Sequence, residues 1–342
     1  MTLEAARRIA DEVLFPAAIA TDSADLVPAS NLDVLADAGL YGLAGPLDAG
    51  GMGVALPVEW ETIEILAGGC LTTAFVWSQH HGLVAALSAE DAPASLRDAW
   101  LGPLCRGQRR AGVSFAGLIP GPPQLRARAV PGGWVLDGTA PWVTGWGRID
   151  VVYAAARTDG DPETGGTIVR AIVDARAGES LAVEALRLVA VNASGTVTLT
   201  FHDHFVPAER VTGTEPYARW RARDPMALRL NGSFALGIAG RCLRLLGSTG
   251  LDDGLADVRA ELDAADADTL PAARARASGF ALRAATALVV TNGARAVLRD
   301  AHAQRLAREA LFLLVFGSRA SIRSALLGRI GAGTGADAGG SS

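Results

Sequence analysis

Histidine supplies most of the residues in this chain that stand close enough together to do chemistry. His80 and His81 are adjacent in a long apolar stretch, VEWETIEILAGGCLTTAFVWSQHHGLVAAL. A neutral imidazole is a capable base near pH 7. The commoner role of a histidine in such a stretch is a satisfied helix residue near a domain interface. His202 and His204 flank Asp203 in a β-rich run. Alternation along a strand turns the two imidazoles to one side, where they can chelate a metal. No third ligand follows at fixed spacing, so a surface strand is the expected setting and no metal is expected. Cys70, Cys105 and Cys242 are few and far apart. That pattern predicts buried free thiols in a cytoplasmic protein rather than a disulfide frame. GLAGPLDAGGMG is glycine-rich but follows no β-branched strand, which sets it apart from nucleotide-binding fingerprints. The sequence has no Gly-x-Ser-x-Gly elbow and no Cys/His pair at a motif spacing.

These residues need a scaffold, and the composition allows a substantial one. Of 342 residues, 50% are hydrophobic and 20% charged. That excludes disorder by composition and suits two or three packed units. The formal charge is -5, without a Lys/Arg run, so nucleic acid is not an expected partner. The N-terminal MTLEAARRIADEVLFPAAIATD carries acids and lacks the basic and apolar regions of a signal peptide. No run of about 18 apolar residues predicts a membrane span.

The texture changes twice along the chain and predicts an α+β protein, mostly α. Residues 1–108 read as an N-terminal helical domain: LDVLADAGLYGL has helical spacing, and the stretch holding His80 is apolar almost all round, so a helix there should be deeply buried. Residues 109–214 alternate short β-rich runs with PGPP, PGG and DGDPETGG turns. They predict a small antiparallel β domain of five or more strands. Residues 215–331 return to Ala/Leu/Arg-rich helical patterns, with DDGLADVRAELDAADADTLPAAR as a solvated helix and loop. Residues 332–342 read as a flexible tail.

Four segments in this order resemble the acyl-CoA dehydrogenase family. LADAGLYGLAGPLDAGGMG is similar to its helix and Gly-Gly-x-Gly loop, and LDGTAPWVTGWGRIDVVYAAART to its "G-x-K-x-W-I-T … A-D … R-T" segment. LTFHDHFVPAERVTG resembles "F-x-D-V-x-V-P", and NGARAVLRDAHAQRLAREALFLLVFG resembles "G-G-x-G-Y … R-L-x-R-D-A". The resemblance implies FAD, held between the β domain and the C-terminal helices, and an acyl-CoA or related thioester as substrate. It places the flavin against Trp142 and Thr144, where an indole can cover the ring face and a hydroxyl can bond its rim. Phe115, Ala116 and Gly117 fall on the preceding flavin loop, whose hydroxyl-bearing side chains are missing here, and Gly293 on the first glycine of "G-G-x-G".

The resemblance also marks departures. The family's usual carboxylate base falls on Gly317, and the place some members use instead falls on Ala227. Neither residue can take a proton. Glu309 matches the Asp of "R-D-A", which is not the base. Val290 replaces a Gln and Ala294 the second glycine, and the "R-x-x-F-G-x-P" pyrophosphate loop has no counterpart in residues 245–275. His80 and His81 are the alternative bases. The expected function is a flavin-dependent oxidoreductase acting on the CH–CH group of an acyl thioester, with a degenerate base. Two alternatives stand beside it: a non-catalytic subunit of a hetero-oligomer with a related chain, and a flavin monooxygenase on the same fold. The apolar runs ALRAATALVV and ALFLLVFG predict at least a dimer, homo- or hetero-oligomeric.

Overall fold

The computed structural model describes residues 2–118, 121–160, 165–247 and 250–333, the side chains of 223–227 and 332–333 excepted. The chain begins with helices α1 (Thr2–Arg8) and α2 (Phe15–Ser23), joined through a π-helical segment, Ile9–Leu14. Helices α3 (Ala29–Asp37), α4 (Leu56–Gly69), α5 (Leu71–Gln79), α6 (His81–Ser88), α7 (Ala94–Leu96) and α8 (Gly102–Cys105) follow. Eight strands come next: β1 (Ala111–Ser114), β2 (Leu125–Val130), β3 (Gly133–Val143), β4 (Val151–Arg157), β5 (Thr167–Asp174), β6 (Leu181–Ala185), β7 (Val197–Pro207) and β8 (Val211–Pro216). The chain then returns to helices: α9 (Tyr217–Ala227), α10 (Arg229–Leu246), α11 (Asp252–Ala264), α12 (Leu270–Asn292), α13 (His302–Val315) and α14 (Ala320–Gly333). This is the helical, β, helical order expected of the sequence. Of the expected tail, 332–342, residues 332 and 333 belong to α14 and 334–342 lie outside the described residues.

The sheet runs β6-β7-β3-β2-β4-β5-β8, with β1 beside β4. It is mixed, where the turn-rich sequence predicts antiparallel pairing throughout. β2 and β3 form an antiparallel hairpin, and β4 runs in the direction of β2, so it meets both β1 and β2 in parallel. β4 is buried at every position, and its alternation explains why. Val152, Ala154 and Ala156 point into the sheet's own core, while Val151 and Tyr153 pack with Leu83 and Val84 of α6. A strand covered on both faces reads as one continuous apolar run.

The deeply buried helix expected around His80 is α5, in which every residue from Leu71 to Ser78 is buried. The stretch that holds it is divided into three helices. Gly68 and Gly69 end α4, and Cys70 is extended at φ -149, ψ 108. Close approach requires these glycines. A Cβ on Gly69 would stand 2.7 Å from the Ala10 carbonyl oxygen, and one on Gly68 would stand 3.0 Å from that of Gly237 in α10. The N- and C-terminal helices thus cross backbone to backbone, and Arg241 of α10 donates to the Gly68 carbonyl and to Asp11.

Candidate functional site

The Trp142–Thr144 step ends β3. The ladder between β3 and β7 slips between Ala140 and Val143, and Trp142 takes a left-handed φ of +61 there. An aromatic residue rarely adopts that conformation, and such strain concentrates at functional positions. The turn leaves the indole 58% exposed. Thr144 faces the other way. Its side chain is buried, and its hydroxyl lies 3.1 Å from that of Thr196, which in turn lies 2.7 Å from that of Ser194. The next residue, Gly145, is left-handed at φ +95, and a Cβ there would stand 3.5 Å from Val76 of α5. Gly145, just past the step, therefore packs close to α5.

Phe115, Ala116 and Gly117 are half-buried in a short turn after β1. Phe115 meets Tyr153 edge-on at 5.2 Å. A Cβ on Gly117 would lie 3.7 Å from the Thr139 carbonyl oxygen, so this segment runs beside the strand that ends at Trp142. Gly293 is exposed at the end of α12, at φ +57, with open space around it.

His80 and His81 lie at the break between α5 and α6, not inside one long helix. His80 Nδ1 accepts the Ala111 amide at 3.2 Å, so its Nε2–H donates to the Leu104 carbonyl, also at 3.2 Å. Burial, and then His81, hold its pKa well below the ordinary value. The ring stitches the helical domain to β1. His81 is buried with neither ring nitrogen hydrogen-bonded, and burial pushes its pKa down to about 3. Trp77 stands edge-on to it at 4.5 Å, and its indole nitrogen also lacks a partner. His202 and His204 do not alternate as a regular strand pair, because Asp203 between them is left-handed at φ +44. Ser180 Oγ lies 2.9 Å from His204 Nδ1.

Gly317 follows α13 at φ +59, and a Cβ there would fall 2.2 Å from Asn231 Nδ2. The Asn231 amide already fills the space a side chain would need. Phe316, just before it, joins Phe75, Phe234 and Phe312 in an aromatic cluster with ring centroids 4.9, 5.8 and 5.2 Å away. Arg274 is buried behind this turn. It donates to Ser278 and, at 3.4 Å, to the carbonyls of Leu313 and Phe316. Burial lowers its pKa to about 10. Its charge stands at the C-terminal end of α13, where a cation is favoured. Glu309 is buried, and Arg305 donates to both of its oxygens at 2.7 and 2.8 Å. Desolvation raises its pKa and the guanidinium opposes the rise. The Ala227 side chain lies outside the described residues. Asn231, Arg274 and the phenylalanines escape a sequence reading because each resembles an ordinary helix residue; only their long-range neighbours single them out.

An α, β, α order defines a class of fold, and comparison with known proteins shows what the chain is similar to. The family pattern described as acyl-CoA dehydrogenase, N-terminal domain, matches residues 1–108. The human mitochondrial short-chain specific acyl-CoA dehydrogenase is 25% identical over 217 residues, which cover 62% of this chain and 52% of the relative. The chain thus spans about half the length of that curated relative. Butyryl-CoA dehydrogenase from Megasphaera elsdenii has the same fold, with a TM-score of 0.78 at 20% identity over 97% of each chain. The FAD complex of PigA superposes with a TM-score of 0.81 at 18% identity over 96% of each chain. The fold is that of the acyl-CoA dehydrogenases. Residues 1–108 match that family's N-terminal domain, and the chain is similar to its members in sequence over 217 residues.

Proposed function

We propose that this chain is an FAD-dependent oxidoreductase that acts on the CH–CH group of an acyl thioester, without the family's carboxylate base. The observation that carries the reading is the strained, exposed Trp142 at the end of β3. An exposed apolar ring calls for a flat aromatic group to cover it. The residues fit FAD in part. Trp142 and the backbone of Phe115, Ala116 and Gly117 supply a surface along one strand; the Thr144 hydroxyl is taken up by Thr196 and does not reach outward. When bound, FAD supplies hydride acceptance. The chain's own part is to orient that group. Gly317 holds no proton-accepting group, Glu309 is spent on Arg305, and His80 is spent on Leu104 and Ala111.

The test is the visible spectrum of the purified protein, followed by turnover of butyryl-CoA. We expect flavin bands, lowered by Trp142→Ala and changed less by Thr144→Val. We also expect turnover about 10²–10⁴-fold below that of an enzyme with its base. Rapid turnover would contradict the missing base, and equal flavin content in wild type and Trp142→Ala would remove the site. A second reading, a non-catalytic partner subunit, is favoured by the Asn231 amide filling the space beside Gly317. A colourless protein that gains function only with a related chain would support it.

A further inference from the structure

The ladder between β3 and β7 slips a second time, at the histidine pair. Gly138 pairs with Phe201 and Leu136 with His204, so His202 and Asp203 together stand opposite Asp137. The left-handed Asp203, at φ +44, makes this β-bulge, and a bulge re-aims the side chains around it. Here it brings His204 to the face of Phe201 and Val206, both buried in the β core, and leaves His202 and Asp203 exposed. The His204 ring is half-buried and stands edge-on to Phe201 at 5.5 Å. Ser180 meets it from the turn before β6. The serine Oγ lies 2.9 Å from His204 Nδ1, and the serine carbonyl accepts the His202 amide at 3.0 Å. Gly178 and Leu181 close that turn with mutual backbone hydrogen bonds at 3.0 and 3.2 Å, and the amides of Glu179 and Ser180 have no partner among the described residues. A Cβ on Gly178 would meet nothing within 4 Å, so the turn is open on that side. Partial burial lowers the His204 pKa, against the pull of Asp174 at the end of β5, whose carboxylate accepts from Arg210 at 3.3 Å. The imidazole is therefore neutral at pH 7, and its Nδ1 can accept the Ser180 proton.

A serine hydroxyl bonded to a neutral imidazole is an activated nucleophile, and free amides in its own turn are donors for a developing oxyanion. We propose that Ser180 and His204 form an acyl-transfer site, separate from the flavin site, with an acyl ester or thioester as donor. Ser180 Oγ attacks the acyl carbonyl carbon, its proton passes to His204 Nδ1, and the carbonyl π pair moves onto the oxygen. The tetrahedral adduct then expels the alkoxide or thiolate, which takes the proton from His204 and leaves the acyl group on Ser180. Water attacks by the same route and regenerates the hydroxyl. Nothing is oxidised or reduced, so this site does not depend on the oxidoreductase reading.

The test treats the full chain with a fluorophosphonate, which labels activated serines irreversibly, and follows the label by intact mass and peptide mapping. The chain has no lysine, so no ε-amine competes for the reagent. We expect one label on Ser180 in wild type and none in Ser180→Ala. His204→Gln should slow labelling about 10²-fold or more, the loss of a general base. Excess p-nitrophenyl acetate and excess butyryl-CoA are then added as separate competitors. Slower labelling with the ester alone assigns the site to esters, and slower labelling with both extends it to thioesters. Slower labelling with butyryl-CoA alone assigns it to thioesters. No label, a label that persists in Ser180→Ala, equal rates in wild type and His204→Gln, or protection by neither competitor overturns the proposal. If His204→Gln fails to fold, Ser180→Ala, a change on a half-exposed turn, decides with the two competitors.

Discussion

At Gly317 the proposed loss of the family's carboxylate is a matter of backbone as well as side chain. A left-handed residue with Asn231 at its Cβ position resists any substitution. Gly317→Glu should therefore destabilise the protein by about 1–2 kcal/mol from the φ alone, and more from the displaced amide. It should also restore no dehydrogenation. Urea unfolding and butyryl-CoA turnover of the variant check both parts, and a stable, active Gly317→Glu enzyme would refute this account. His81 gives a prediction in pH. Its folded pKa of about 3 lies below the ordinary 6.5. Between those values the unfolded chain binds a proton that the folded chain refuses. The contribution is complete above pH 6.5 and is lost as pH falls toward 3, at up to about 1.4 kcal/mol per pH unit. His80 shifts in the same direction. His81→Phe should flatten the acid limb of Tm against pH between 6.5 and 4; an unchanged limb would mean that His81 is not buried neutral.

α13 shows how one element carries both packing and charge. Its amphipathic spacing buries Leu306, Ala310 and Leu313, and the same face buries Arg305 and Glu309 one turn apart. Both partners are 1% exposed, so the pair has exchanged water for mutual hydrogen bonds. Glu309→Ala should cost about 3–5 kcal/mol, because it leaves a buried guanidinium unpaired. The double variant Arg305→Met/Glu309→Leu should cost much less. Chemical denaturation of the two variants tests the pair, and equal losses would show that packing rather than charge dominates. The sequence reading separates Glu309 from the base by register; the structure adds the physical reason, since its oxygens are already occupied.

For the whole molecule, the question is what covers the outer C-terminal helices. Val290, Leu311, Val315, Leu327 and Ile330 of α12, α13 and α14 are exposed large hydrophobics. Exposed apolar surface of this kind marks an interface. We predict at least a dimer, measured as mass by light scattering at micromolar concentration. Leu327→Glu/Ile330→Glu should lower that mass without changing the far-UV spectrum. An unchanged mass would move the interface elsewhere. No helix among the described residues is long and apolar enough to cross a membrane.

Periodicity and turn chemistry were enough to read the α+β class, the order of helices and strands and the buried α5. All of these depend on which face of a local element is apolar, and a run of ten or twenty residues sets that. Local pattern does not set the partner of a polar atom. Thr144 is spent on Thr196, 52 residues away, and Asn231 meets Gly317 only because α10 packs against the end of α13. Arg274 and Arg157 look like solvated arginines in the chain and are buried in the fold. The parallel pairing of β4 was hidden for the same reason, since strand direction follows the path of the connections rather than the strand's own residues. The sequence by itself determined the elements and their apolar faces. Only the tertiary structure decided which polar groups are free to do chemistry, because hydrogen-bond partners and burial come from contacts between distant segments.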